Sequence, residues 1–365
     1  MTRRILVLMI GLTVAGAVAA QEKPAAWDIL RDIVLVPGVS GHEKPVADFV
    51  VNALPAGVKV ERDALNNVWF TAGSGKPHIL VVAHTDELGW IVDRITAEGR
   101  LKLKPGGGVL PQASEARAVL IHTAKGPVAG VIAPRPGYDE RAAEGAAVRP
   151  YGVEDFEIVL GVGGEKEARA LGVAEGDSVT IKKAIVDLGP DLLATRAVDD
   201  RAGCAALLEA ASRIDWAGLK GKTVTFAWDV QEEIGLFGAA ALAKVLRPDA
   251  VFAVDTFVSS DSPLESKRFA YAVIGGGAVV RAIDSSSVVP RAELRRILGV
   301  ARDHGIALQV GSSRGGNDGS VFVPWGAVDI PLAWPGAYAH SFIEKIDRRD
   351  LAALTDLIVA IVRDW

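Results

Sequence analysis

The stretch His78-Ile79-Leu80-Val81-Val82-Ala83-His84-Thr85-Asp86-Glu87-Leu88-Gly89 decides how this chain is read. Residues 79–83 form a short, unbroken apolar run. A run of that length with no polar alternation marks a strand buried on both faces. Such strands belong to sheets that helices cover on either side. The run stops abruptly at an imidazole, His84, with the carboxylate of Asp86 two residues on.

Outward from that strand, residues 223–228 and 250–254 repeat the pattern, and residues 330–334 form another apolar segment. Residues 27–35, 43–54, 202–214, 291–304 and 351–362 carry apolar residues at helical spacing, with Ser40 and Gly41 as a start signal for the second. Alternation of strand and helix implies a largely parallel sheet with helices on both faces. Residues 91–188 have another character. Short alternating runs at 101–104, 118–122 and 179–183 are separated by turns rich in Gly and Pro, which predicts a small antiparallel β module, a barrel. Because α/β pattern precedes and follows it, residues 91–188 are read as an insertion into a main domain made of residues 21–90 and 189–365.

The chain has 365 residues, 50% of them hydrophobic and 23% charged, with a formal net charge of -5. That is a globular composition, and no basic stretch supplies the phosphate-neutralising patch that nucleic-acid binding needs. One cysteine, Cys204, excludes an internal disulfide framework and a thiolate zinc cluster. Arg3 and Arg4 precede an apolar run over residues 5–20 that ends in small residues. This has the form of a secretory signal, cleaved near Ala19 or Ala20, too short for a spanning helix. The expectation is an exported protein, periplasmic or secreted, with no membrane span after cleavage.

Candidate chemistry gathers at segment ends, where open α/β sheets place their ligands. His84 follows the strand at 79–83; Glu232 and Glu233 follow that at 223–228; Asp255 directly follows that at 250–254. Asp199 and Asp200 precede the helix beginning near Arg201, and His340 follows the segment at 330–334. Singly, each is an unremarkable cap or turn residue. Together they match what amide hydrolysis requires: an activated water and an electrophile on the carbonyl oxygen, which two metal ions supply. Two zinc-like ions take about two imidazoles and three carboxylates, one of them bridging. A further carboxylate must carry the water's proton to the departing amine, and the pair Glu232–Glu233 fits a division between ligand and base. Asp86 is placed to orient the His84 imidazole.

The motifs SGHE at 40–43, AHTDELG at 83–89, AVDDRAG at 197–203, QEEIGLFGA at 231–239, AVDT at 253–256 and AHSFIE at 339–344 resemble, in that order, those of TET-type metallo-aminopeptidases. That family includes glutamyl and deblocking aminopeptidases and some members labelled endoglucanases. The resemblance implies a zinc-exopeptidase α/β fold, a mixed sheet flanked by helices with an inserted small antiparallel β-barrel domain. It implies removal of amino-terminal residues from peptides through a metal-bridging water. Carried over residue by residue, Asp199 bridges two divalent ions, zinc with cobalt or manganese as alternatives. His84 and Asp255 complete one site, Glu233 and His340 the other, Glu232 is the base and Asp86 orients His84. A cis peptide bond between Asp199 and Asp200 and a hollow homo-dodecamer are implied in the same way. The segment GGNDGS at 315–320 resembles a loop flanking the site, with Asp318 near it. Phe237, Asn317 and the pair Tyr338-Ala339 depart from common family residues without touching a ligand. Two other functions compete: a non-catalytic peptide-binding protein on a degenerate site, and a polysaccharide hydrolase, which would need two carboxyl groups and no metal.

Overall fold

The structure is a computed structural model describing residues 25–134, 152–262 and 271–365. In chain order, helices α1 (Ala26–Ile33) and α2 (Lys44–Ala53) precede strands β1 (Val60–Arg62), β2 (Val68–Gly73) and β3 (Gly75–His84). Six strands follow: β4 (Gly89–Ile95), β5 (Leu101–Gly106), β6 (Ala118–Thr123), β7 (Gly126–Ile132), β8 (Ile158–Val159) and β9 (Ser178–Ile181), with α3 (Glu165–Ala170) between the last two. They close a barrel in the order β4-β5-β8-β7-β6-β9. The chain then forms β10 (Val186–Asp187), β11 (Leu192–Thr195), α4 (Val198–Arg213), β12 (Gly221–Asp229), α5 (Phe237–Val245) and β13 (Ala250–Val258). It ends with β14 (Ala278–Ile283), α6 (Arg291–Asp303), β15 (Leu308–Ser312), β16 (Val328–Asp329), β17 (Leu332–Gly336), β18 (Glu344–Asp347) and α7 (Arg348–Asp364).

The main sheet runs β1-β2-β12-β3-β13-β17-β14-β15, with β16 beside β13. Its centre is parallel: β12, β3, β13 and β17 all point the same way. The flanks turn antiparallel where β2 meets β12 and β17 meets β14. The sheet is therefore mixed.

The alternation of side chains along β3 explains its apolar run. Ile79, Val81 and Ala83 join the core under α1, α4 and α7, while Leu80 and Val82 face the second core beside α5 and the 3-10 helix Asp318–Trp325. With helices on both faces, no position of the run can be polar. The alanines of α4 (Ala202, Ala205, Ala206, Ala210 and Ala211) are all buried. Their small size lets α4 lie close to β3 and to α1 and α7.

Strand β13 runs past its expected end. Asp255 does not terminate it, because β17 pairs with residues 254–258 and holds the strand extended to Val258. A small sheet, β10-β11-β18, was not foreseen; its strands are too short for a periodic signal. Among the described residues no helix is long and apolar enough to cross a membrane. The expected signal, residues 1–20, lies outside the described residues.

Barrel and sheet are joined by a buried ion pair. Lys183, just past β9, has its Nζ 2.6 Å from Glu87 Oε1, and Glu87 also accepts the backbone N–H of Gly38. Burial pulls the Lys183 pKa down to about 8, against the pull of Glu87. Removing Lys183 leaves the buried Glu87 carboxylate only the longer ionic contact with Arg201, 3.6 Å away, so Lys183→Met should lower stability by about 3 kcal/mol. Lys44→Ala, at an exposed pair with Asp48, should change it by less than about 0.5 kcal/mol. Urea unfolding of both variants checks this; equal losses would show that the buried pair has no special weight.

Candidate metal centre

Because β3, β12, β13 and β17 are parallel, their carboxyl ends open on one side, and a cleft of about 430 Å³ lies there. His84, Asp199, Glu232, Glu233, Asp255 and His340 all line it. His84 closes β3, Asp255 lies near the end of β13, and the loop after β12 carries Glu232 and Glu233. His340 sits between β17 and β18 with φ +63°, a left-handed conformation rare for a residue bearing a Cβ. Its side chain is 45% exposed, against 1% for His84, so it forms the open rim of the cluster.

Asp199 is the centre of this geometry. Its Oδ1 lies 3.4 Å from His84 Nε2, and its Oδ2 lies 3.8 Å from His340 Nε2. Asp255 Oδ1 is 4.0 Å from the same His84 nitrogen, and Glu233 Oε2 is 3.7 Å from His340 Nε2. Two triads result, His84–Asp199–Asp255 and Asp199–Glu233–His340, each with its donor atoms within 4.8 Å of one another. Tetrahedral zinc with bonds of about 2.0–2.1 Å holds neighbouring donors about 3.3 Å apart, so both triads are close to the spacing a cation needs. Asp199 Oδ1 is buried without a hydrogen-bond partner, which also fits an atom reserved for a ligand. The donor set, imidazole nitrogen and carboxylate oxygen, suits zinc, cobalt and manganese alike.

The local backbone is built to aim Asp199. Ala197 has φ +65°, Asp199 and Asp200 have non-helical dihedrals within α4, and their shared peptide bond is cis. The Asp200 carboxylate turns away from the cleft and accepts the N–H groups of Gly203 (3.0 Å) and Trp334 Nε1 (3.1 Å). The Asp199 N–H donates to Glu344 Oε2 at 2.9 Å, and Glu344 is paired in turn with Arg196 at 2.7 Å.

Asp86 lies behind His84, but its contact with the ring is long. Oδ1 is 3.4 Å from Nδ1, and that nitrogen has no full hydrogen bond. The same carboxylate accepts the backbone N–H groups of Glu232 (3.0 Å) and Glu233 (3.2 Å) and the hydroxyl of Ser40 (2.6 Å). Asp86 thus braces the loop of the two glutamates as well as the imidazole. Glu43 adds a second brace by accepting the N–H of Gln231 at 3.1 Å.

Electrostatics reflect the crowding. Burial disfavours the charged imidazole of His84, yet Asp199 and Asp86 hold its pKa well above the ordinary value. Burial pushes the Glu232 carboxyl well above the carboxylate range; His84 opposes this, and Asp318, Asp255 and Asp86 add to it. Burial and then Asp199 do the same to Glu233. Buried carboxylates with so little positive charge among them are a site that calls for cations.

Several contributors escaped sequence reasoning. Arg281 on β14 donates to Asp255 Oδ2 at 2.6 Å and to the carbonyl of Gly316 at 2.7 Å. Glu344 and Ser40 act from motifs whose lettering showed no role for them. In the GGNDGS loop, Gly315 and Gly316 line the cleft, whereas Asp318 is buried against Asp229 below it.

Comparison with known proteins shows what the chain as a whole is similar to. The profile described as M42 glutamyl aminopeptidase matches residues 66–357. The lysyl aminopeptidase of Pyrococcus furiosus is 30% identical, over 93% of this chain and 97% of its own length. The TET1 peptidase of Pyrococcus horikoshii, described as able to assemble into a tetrahedron or a large octahedral shell, superposes with a TM-score of 0.85 at 32% identity, covering 93% of this chain and 99% of that one. A Thermotoga maritima structure called an endoglucanase superposes with a TM-score of 0.73 at 26% identity, over 91% of this chain and 96% of its own.

These likenesses correct one expectation. Residues 1–20 were read as a signal peptide and the protein as secreted, but the comparisons lend that reading no support and it is not carried forward. The reading rested on composition alone, a charged start and a short apolar run, at residues that lie outside those described.

If Asp86 holds His84 and the glutamate loop in place, Asp86→Ala should weaken zinc binding by about ten- to a hundredfold. Competition with a fluorescent chelator measures this, and an unchanged affinity would show that the ligands are positioned without Asp86.

Proposed function

The chain belongs to the M42 glutamyl aminopeptidase family and is an aminopeptidase; from that premise we propose that it hydrolyses the first peptide bond of peptides at a centre of two divalent cations. The observation that carries this reading is the pair of donor triads sharing Asp199. One cation is assigned to His84, Asp199 and Asp255, the other to Asp199, Glu233 and His340. Zinc is the proposed metal, with cobalt and manganese compatible. Bound there, the cations would polarise the scissile carbonyl and make a water acidic enough to attack at neutral pH.

The chain's own residues do the rest. Glu232 faces the cleft and ligates neither cation in this assignment. Its carboxylate takes a proton from the attacking water as the new C–O bond forms, then delivers it to the amine as the C–N bond breaks. Asp86 keeps Glu232 and Glu233 in register through their backbone N–H groups. Glu344 and Arg281 hold Asp199 and Asp255 from behind.

We take residues 91–188 as an inserted barrel unit beside a catalytic unit of residues 21–90 and 189–365. By likeness to the TET1 peptidase we propose that the chain forms a homo-oligomer, a dodecamer in the simplest case. Its substrates are then peptides small enough to reach a cleft on an assembled particle. A glycosidase reading has only a relative's label behind it.

Glu232→Gln should keep its metal and fold while kcat on aminoacyl p-nitroanilides falls by about 10²- to 10⁴-fold. Near wild-type turnover would remove Glu232 from the role of base. Stripping the wild-type enzyme with a chelator should abolish turnover, and adding zinc should restore it; activity that survives stripping would contradict metal-dependent hydrolysis.

A further inference from the structure

Away from the donor cluster, the cleft has a second wall, and its chemistry is uniform. It is formed by Leu110 from the barrel side, Thr256 and Val258 at the end of β13, and Ser313, Gly315 and Gly316 after β15. None of these side chains carries a charge. Apart from the two imidazoles of the donor cluster, the one basic side chain among the described residues that line the cleft is Arg281, and its charge is already met. Its Nη1 is 2.6 Å from Asp255 Oδ2, and its Nη2 lies 2.7 Å from the Gly316 carbonyl and 3.4 Å from Asp284 Oδ2. The side chain is 1% exposed, so the guanidinium is locked into the wall. The carboxylates at the opposite end, Asp199, Glu232, Glu233 and Asp255, are committed to cations and proton transfer under the reading above.

A peptide whose first carbonyl lies over the donor cluster must put its first side chain somewhere in the remaining cleft. Among the described residues that line it, a lysyl ammonium there would meet no uncommitted carboxylate, and a glutamyl carboxylate no uncommitted cation. Either would lose its hydration with nothing in exchange, a penalty that hydrogen bonds from Ser313 or Thr256 cannot match. An uncharged side chain loses nothing and gains contact with Leu110 and Val258. Arg314, between Ser313 and Gly315, is exposed, has a partner of its own and is not among the residues that line the cleft. We propose that this chain selects peptides with an uncharged amino-terminal residue, through the neutral lining of Leu110, Thr256, Val258, Ser313, Gly315 and Gly316. The selectivity thus differs from that in the names of its lysyl and glutamyl relatives. The inference rests on the aminopeptidase reading and adds the class of substrate to it.

The test has a kinetic arm and a binding arm. On the zinc-loaded enzyme, kcat/KM for leucyl p-nitroanilide should exceed that for the glutamyl and lysyl compounds by about a hundredfold or more. On zinc-loaded Glu232→Gln, calorimetry should rank leucyl-alanine above glutamyl-alanine and lysyl-alanine in affinity. Val258→Arg places a cation in the wall and should raise the glutamyl-to-leucyl ratio at least about tenfold; Ser313→Arg is measured beside it in case the first variant fails to fold. A charged residue preferred in both arms, or ratios unmoved in every folded arginine variant, would overturn the neutral wall while leaving the aminopeptidase standing. Hydrolysis of no aminoacyl compound would overturn both.

Discussion

Mutual repulsion among the carboxylates around Asp199 is the constraint that the rest of this structure serves. Asp199, Glu232, Glu233 and Asp255 share one cleft, and burial raises the pKa of each of them except Asp199, which His84 holds down. An ionised carboxylate out of water costs several kcal/mol unless a partner offsets it. The chain supplies some of that offset itself: Arg281 against Asp255, and Arg196 through Glu344 behind Asp199. What it does not supply is positive charge between the two oxygens of Asp199 and the two imidazoles. That gap is the physical content of calling the cleft a metal centre.

Holding like charges together requires a scaffold that cannot relax, and the parallel centre of the sheet is that scaffold. His84 and Asp255 lie on neighbouring strands, β3 and β13, each hydrogen-bonded on both sides and packed between helices. The remaining donors come from loops, and each loop is pinned. Asp86 and Glu43 hold the backbone of residues 231–233, and Glu344 holds the N–H of Asp199. Non-glycine residues with positive φ stand at Ala197, Gln231 and His340, each at or beside a donor loop. Such backbone is retained where surrounding contacts over-determine it, and functional sites are where that occurs.

What could be read in the sequence divides along a physical line. The run at 79–83 was legible because burial on both faces removes every polar residue from it. The donors were legible because polar groups at the ends of apolar strands have little else to do. Glu344, Ser40 and Arg281 were not, since each reaches its partner from a strand or loop far along the chain. Arg281 in particular sits in strand β14, whose partners β15 and β17 nothing local announces. The extension of β13 past Asp255 was hidden for the same reason, being set by pairing with β17. Residues 1–20 were read from composition alone, and they lie outside the described residues.

The most direct test of the central claim is anomalous diffraction from zinc-loaded crystals, recorded at the zinc absorption edge. The account predicts two peaks on either side of the Asp199 carboxylate, one against His84 and Asp255 and the other against Glu233 and His340. A single peak, or two peaks that do not share Asp199, would contradict it.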